Sequence, residues 1–413
     1  MSAKIKQLNI KGLKIPVIFE KQEALPIVNI QLVFTNSGSI QDNKKAGLAK
    51  LSSKLLNEGT KSLGSVGYAS VLEENAISIH SDVGFETFVL EMSSLKDKSK
   101  QGFKLLKQLL DDPNYSKETL EKLKVLQTGS LNRKENDYDY VSKVALKSVL
   151  FKDTPLEKPS SGTIKSITKI ELKDIKEFLN NTLDLNNLIV VAGGDITFEK
   201  LEKRLNKLLE NLSAQNKNQL TNVQVSAKET SKNTLTKDTQ QAYIYFGSPF
   251  NMSASDDNYY KAKVASFILG GSGFGSRLME EIRVKRGLAY SAYGNILVNK
   301  SHSYFSGYLQ TKNENSEEAV KLVEDIVEEF IKNGVTKDEL QAAKNFLSGS
   351  EPLRTETLSQ RLNRAFMLYY RGLEQNYPQM ELDKISSLDL DDLNNFIKSH
   401  DEIKNITFSI VRN

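Results

Sequence analysis

The chain has no cysteine, no tryptophan and only three histidines in 413 residues. Without cysteine there is no disulfide framework, thiol nucleophile, thiolate zinc site or iron–sulfur cluster, and nothing points to an oxidising compartment. A metal would have to be held by histidines or carboxylates. His80, His302 and His400 are far apart, and none has a second histidine at the i+3 or i+4 spacing that puts two ligands on one helix face. A local histidine cradle is therefore absent. Long apolar runs are missing too, since none reaches the ~18 residues needed to cross a bilayer. The lysine-rich stretch from Met1 to Lys14 lacks the apolar segment of a secretory signal. We expect a cytoplasmic protein without membrane contact.

Charge of one sign is also scarce: Lys and Arg number 56 against 52 Asp and Glu, a net +4 that does not call for nucleic acid as a partner. Arginine is unevenly placed. Positions 277, 283, 286, 354, 361, 364, 371 and 412 hold eight of the ten, so carbonyl or carboxylate recognition by the planar guanidinium is to be sought in the second half.

The remaining composition, 39% apolar and 26% charged, is that of a globular protein long enough for more than one core. A polar stretch over 213–240 reads as a linker between two halves, 1–212 and 241–413. The halves share a repeat. Ser116–Ser130 aligns without a gap on Thr336–Ser350, with Lys117/Lys337, Leu120/Leu340, Lys124/Lys344, Gly129/Gly349 and Ser130/Ser350 identical. Downstream, Ile167/Ile385, Leu172/Leu390, Asp174/Asp392 and Phe178/Phe396 also match, in the same order.

Periodicity repeats as well. Each half opens with an alternating strand, at 27–34 and at 241–247, followed by a helix at 46–57 or 258–269. Two strands come next (76–81 and 85–92; 289–298 and 303–310), then an amphipathic helix at 102–110 or 317–333. Ser116 and Thr336, each followed by acidic residues, are expected helix starts. Short loops between neighbouring strands imply antiparallel pairing, so the expected class is α+β: two homologous halves, each a mainly antiparallel sheet with helices packed on one face.

Two segments invite a chemical reading. In Gly47–Thr60, Leu48, Leu51 and Leu55 form a buried stripe while Lys50, Ser53 and Lys54 share another face, a pattern that any amphipathic helix with solvated lysines would show. In Leu269–Tyr293 the glycines from Gly270 to Gly275 follow a helix, and their spacing fits neither the P-loop nor the dinucleotide fingerprint. After this loop, a short helix from Ser276 is closed by Gly287, with Arg283 in its last turn and Tyr290 on the next strand. The turn can bring both side chains to one place; the alternative is that Arg283 pairs with Glu280 and Tyr290 packs in a sheet.

The run Ser276–Tyr290 after a glycine-rich loop closely resembles the second half of the pitrilysin (insulinase) family of zinc peptidases, in its short two-half form related to mitochondrial processing peptidase. The resemblance implies that Arg283 and Tyr290 bind substrate backbone near the scissile bond, with the Gly270–Gly275 loop able to flex over it. It also implies that Gly47–Thr60 is the helix of the inverted zinc motif H-x-x-E-H, whose three functional positions here are Lys50, Ser53 and Lys54. Lysine ammonium is no zinc ligand and serine is no substitute for the glutamate base; the further glutamate ligand falls near Thr128, a few residues either way. The resemblance therefore implies a chain with no catalytic residue and no metal of its own, a substrate-binding subunit whose H-x-x-E-H-bearing partner holds the zinc. A homodimer, a structural scaffold of the same fold and a peptidase with an unorthodox metal site are the alternatives. The arginines at 354, 361, 364 and 371 are expected on a solvated helix, the alternative being a helix that faces the chamber enclosed with the partner.

Overall fold

A computed structural model describes residues 3–227 and 229–413. Strand patterning in the first half starts earlier than its alternating segment, with β1 (Lys4–Ile10) and β2 (Leu13–Lys21) as an antiparallel hairpin before β3 (Ile27–Thr35). There follow α1 (Leu48–Leu56), α2 (Gly64–Glu74), β4 (Ile77–Val83), β5 (Thr87–Leu95), α3 (Ser99–Asp111), α4 (Lys117–Lys134), α5 (Tyr138–Leu150), α6 (Ile164–Lys169), α7 (Leu172–Thr182), β6 (Leu188–Gly194) and α8 (Phe198–Leu209). The second series comprises β7 (Ser231–Thr236), β8 (Gln241–Pro249), α9 (Tyr259–Ser266), β9 (Ala289–Val298), β10 (Ser303–Lys312), α10 (Ser316–Asn333), α11 (Lys337–Gly349), α12 (Leu358–Arg371), α13 (Tyr377–Ser387), α14 (Leu390–Ser399) and β11 (Thr407–Arg412).

These elements build two sheets, of order β1-β2-β6-β3-β5-β4 and β7-β11-β8-β10-β9. The run β6-β3-β5-β4 in one repeats as β11-β8-β10-β9 in the other, which is the duplication expressed as topology. Pairing is antiparallel except for β2 with β6 and β7 with β11. The α+β class with two homologous halves is thus the observed architecture. The repeated segments are α4 and α11, and both start on the expected caps. Ser116 Oγ accepts from the Thr119 amide at 3.0 Å, and Thr336 forms a capping box with Glu339.

Packing divides the chain differently from its linear order. One unit gathers residues up to Asn132 with Pro159–Thr221 and Arg354–Met367; the other gathers Arg133–Lys158, Asn222–Leu353 and Leu368–Asn413. Each unit has its own core, on the sheet face marked by Val28, Ile30 and Leu32 in one and by Ala242, Ile244 and Phe246 in the other. The opposite face takes one further helix. In the second unit this is α5, whose Ser142 hydroxyl donates to the Ser409 carbonyl at 2.7 Å. In the first unit it is the start of α12, where Leu358 and Leu362 fit against Gly193, a position with no room for a Cβ. Within the stretch expected as a linker, β7 pairs with β11 in the second unit, and Lys228 lies outside the described residues.

Arg361 and Arg371 of α12 correct the expectation of a solvated helix, whereas Arg354 lies before that helix and is exposed. Arg361 donates to Glu20 Oε1 from Nε at 2.9 Å and to the carbonyls of Thr355 and Glu356, holding the helix on its sheet. Arg371 lies 4.2 Å over the ring of Tyr259. A guanidinium anchors these packings because it can meet several acceptors and an aromatic face with one side chain.

Candidate functional site

Helix α1 forms because Leu48, Leu51 and Leu55 bury one stripe in the first core, each burial stabilising by ~1.5–3 kcal/mol. Its start is fixed by Asp42, a buried carboxylate that accepts from the Gly47 and Ala49 amides at 2.8 and 2.7 Å. The face carrying Lys50, Ser53 and Lys54 lies between the edge strand β4 and helix α4. Lys50 turns outward to Asp82 at 2.6 Å. Ser53 is buried, and its hydroxyl donates to the Ser81 carbonyl at 3.0 Å. Lys54 turns the other way and donates to Gln127, whose amide donates in turn to the Ser161 carbonyl at 2.8 Å. The residue of α4 that meets α1 is thus Gln127. Thr128, where the further ligand of the family motif was expected, instead donates its hydroxyl to the Lys124 carbonyl of its own helix.

This donor set does not fit zinc. Two ammonium groups offer no lone pair and repel a cation, the serine oxygen is committed to β4, and an amide oxygen stands in place of a carboxylate. The three histidines lie elsewhere: His80 faces Glu91 at 3.4 Å, His302 contacts Ser301 at 2.8 Å, and His400 stacks on Phe250. No group of three or more His, Cys, Asp or Glu suited to a metal ion occurs among the described residues.

The second unit brings Arg283 and Tyr290 together. Helix α9 runs into a π-turn over Phe267–Gly271, and a second π-turn spans Met279–Val284. In the latter, Ile282 is fully buried while Arg283 points outward. The turn closes at Gly287, whose φ of +62° is left-handed and favours glycine. The Gly287 amide donates to the Arg283 carbonyl and that of Leu288 to Ile282, both at 3.0 Å. These bonds reach one residue further back than the usual glycine cap, as a π-turn requires. On β9 the register against β10 shifts between Leu309 and Thr311, opposite Tyr290. A bulge of this kind re-aims a side chain, and Tyr290 is 81% exposed.

The Arg283 guanidinium lies 4.7 Å from the centroid of the Tyr290 ring and 4.7 Å from that of Phe274. Phe274 sits on the glycine-rich loop between Gly273 and Gly275, both with left-handed φ, and is 68% exposed. Arg283 makes no ion pair with Glu280 or any other carboxylate among the described residues; the neighbouring Glu281 is taken by Lys285 and Arg286. The loop is fixed at its base. Ser276 Oγ donates to the Gly273 carbonyl at 2.8 Å, and Arg277 grips Glu339 through two nitrogens at 2.6 and 2.8 Å. Burial works to raise the Glu339 carboxyl, but Arg277 and the Thr336 amide hold it below its ordinary range.

β9 is an edge strand, as is β4 in the first unit. Each edge is partly closed by the helix beside it. Asn57 bonds both the amide and the carbonyl of Ser81, while Ser266 Oγ accepts from the Ile296 amide at 2.9 Å. Gln127 lies within the few residues around Thr128 that the sequence leaves open, whereas Phe274 belongs to no site expected from the sequence. An aromatic residue flanked by glycines was a usable signal for Phe274, whereas only the approach of α4 to α1 identifies Gln127.

Family comparisons agree with this layout. Residues 17–164 match the model described as insulinase (peptidase family M16), and residues 169–347 match the model described as peptidase M16 inactive domain. The chain is 45% identical over 400 residues to the non-peptidase homologue YmxG of Helicobacter pylori, covering 97% of this chain and 92% of that protein. In fold it resembles the crystal structure of a peptidase M16 inactive domain from Pseudomonas fluorescens (TM-score 0.89, 23% identity, 99% of this chain and 98% of that one). It also resembles a protease from Helicobacter pylori (TM-score 0.85, 16% identity, all of both chains). With its duplicated sheets, its substituted zinc-motif helix and this likeness along nearly its whole length, the chain belongs to the M16 (insulinase) peptidase family.

Proposed function

We propose that this chain is the non-catalytic, substrate-binding subunit of a heterodimeric zinc peptidase, working in the cytoplasm with a related partner that carries H-x-x-E-H. The observation that carries the reading is the contrast between the two sites. Lys50 and Lys54 fill the two histidine positions of the motif with ammonium groups that repel a metal and Ser53 fills the glutamate position with a hydroxyl committed to β4, while Arg283 stands between two exposed aromatic rings with no carboxylate to neutralise it among the described residues. The name of the Helicobacter pylori relative as a non-peptidase homologue supports the first part.

In this division of labour the partner supplies the metal chemistry. The present chain supplies position: an extended peptide lies along β9 near Tyr290, and Arg283 and the Tyr290 hydroxyl donate to its carbonyls. Binding energy from these contacts is available for orienting the scissile bond.

The isolated chain is expected to bind no stoichiometric zinc and to show no chelator-sensitive peptide cleavage; finding both would sink the proposal. Co-purification from the native cell should recover an H-x-x-E-H-bearing partner. In the reconstituted pair, Arg283→Ala and Tyr290→Phe should each lower turnover of a peptide substrate, and unchanged activity in both would show that the site is assigned to the wrong residues.

A further inference from the structure

We propose that the chain associates with a second copy of itself through charge complementarity between duplicated helices, the basic α3–α8 groove of one copy receiving the acidic outer face of α10 from the other. The proposal is independent of the substrate-binding reading and uses none of its residues.

Helices α3 and α10 hold equivalent places in the two halves, each following the second strand of the hairpin that ends at the sheet edge. Their outer faces have opposite sign. Along α3 and α8 run a groove of ≈ 880 Å³, lined by lysines at 98, 100, 104, 107, 200, 203 and 207, by Arg204 and by a single acid, Asp97. Two of these cations are tied down: Lys107 by Asp111 at 2.9 Å and Glu210 at 3.2 Å, and Arg204 over the Phe103 ring at 5.3 Å with a bond to Ser99. Lys100, Lys104, Lys200, Lys203 and Lys207 are exposed and have no carboxylate partner among the described residues. Phe103 and Leu208 give the groove an apolar floor.

Helix α10 reads SEEAVKLVEDIVEEFIKN, and its apolar stripe from Ala319 to Phe330 is spent in its own core. What remains outward is mainly acidic, with six carboxylates against Lys321 and Lys332. Glu317 is held by Arg412 at 3.0 Å, Glu324 by Lys232 at 3.6 Å and Asp325 by Lys321, but Glu318, Glu328 and Glu329 are exposed without a cationic partner among the described residues. These carboxylates span ~16 Å of helix at 1.5 Å per residue, a length comparable to the row of free lysines on α3 and α8. A ridge of one sign and a groove of the other, on elements related by duplication, make the chain complementary to a second copy.

The full chain should therefore self-associate in sedimentation velocity at about 0.05 M salt and dissociate near 1 M, where the screening length falls to about 3 Å. A reciprocated contact gives a dimer, and an unreciprocated one gives species that grow with concentration. Lys104→Glu with Lys203→Glu, or Glu318→Lys with Glu329→Lys, should weaken association at least tenfold without changing the melting temperature. An equimolar mixture of the two variants should recover it, as should all four changes in one chain. A wild type that is monomeric at low salt, or association indifferent to the reversals, overturns the proposal. So does a basic-face variant that keeps self-association while losing binding to duplex oligonucleotide or to phosphatidylglycerol vesicles.

Discussion

Lys54 of α1 donates its ammonium to the side-chain oxygen of Gln127 of α4. The helix that would carry a zinc motif is thus tied to the helix that would carry the last ligand by a hydrogen bond from a cation, so this place in the fold is held by protein charge. Gln127 is buried, and deleting its donor strands a buried acceptor. Lys54→Ala should cost about 1–3 kcal/mol, read as a lowered urea midpoint with unchanged slope. No loss of stability would mean that the contact is incidental.

Restoring the motif tests the same relationship from the other side. Lys50→His, Ser53→Glu and Lys54→His combined with Gln127→Glu should bind zinc at least tenfold more tightly than the same three changes combined with Thr128→Glu. The reason is that Gln127 faces α1 whereas Thr128 bonds along its own helix. Titration calorimetry distinguishes the two, and equal affinities would refute the assignment of Gln127.

Phe274 forms one wall of the arrangement around Arg283. Exposed cation–π contacts are worth about 0.5–1 kcal/mol, so on the proposed function Phe274→Ala should raise KM of the chain reconstituted with its proposed partner about twofold to fivefold with little change in kcat. Arg283→Ala should do more. A Phe274→Ala effect equal to or larger than that of Arg283→Ala would instead make the aromatic ring the principal contact.

The ion pair of Glu20 with Arg361 is buried on the Glu20 side, where Oε2 has no hydrogen-bond partner among the described residues. Removing the guanidinium leaves an uncompensated buried carboxylate, so Arg361→Ala should destabilise by about 3 kcal/mol or more. Arg361→Lys should rescue only partly, because lysine cannot reproduce the fork that meets Glu20 and two carbonyls. Thermal melts of the two variants decide it.

Glu339 predicts an acid limb of the stability curve. Its carboxyl is held below the ordinary value of 4.5, so the stabilisation is present above that value and is lost as pH falls through the folded-state pKa. Melting temperature should therefore drop on acidification below about pH 5, and Glu339→Gln should flatten that slope. A wild-type slope retained in Glu339→Gln would assign it to other carboxylates, of which Asp184, buried yet bonded by the amides of Asn186, Asn216 and Gln215, is the first to examine.

The sequence by itself determined whatever is written over a few turns of chain. The α+β periodicity, the duplicated α4 and α11 with their caps, the lysines in the zinc-motif helix and the seven-residue spacing from Arg283 to Tyr290 are all local. A glycine-closed turn can then bring that Arg and Tyr into contact without help from elsewhere. Tertiary structure decided the pairings between distant residues: Lys54 with Gln127 across 73 positions, and Glu20 with Arg361 across 341. It also decided that α5 and α12 lie on the sheet faces opposite the two main cores, and that Arg361 and Arg371 of α12 are anchors rather than parts of a solvated face. The physical reason is that periodicity states which side of an element is apolar but not which element covers it. That choice is made only when the whole chain condenses and every buried donor must find its acceptor.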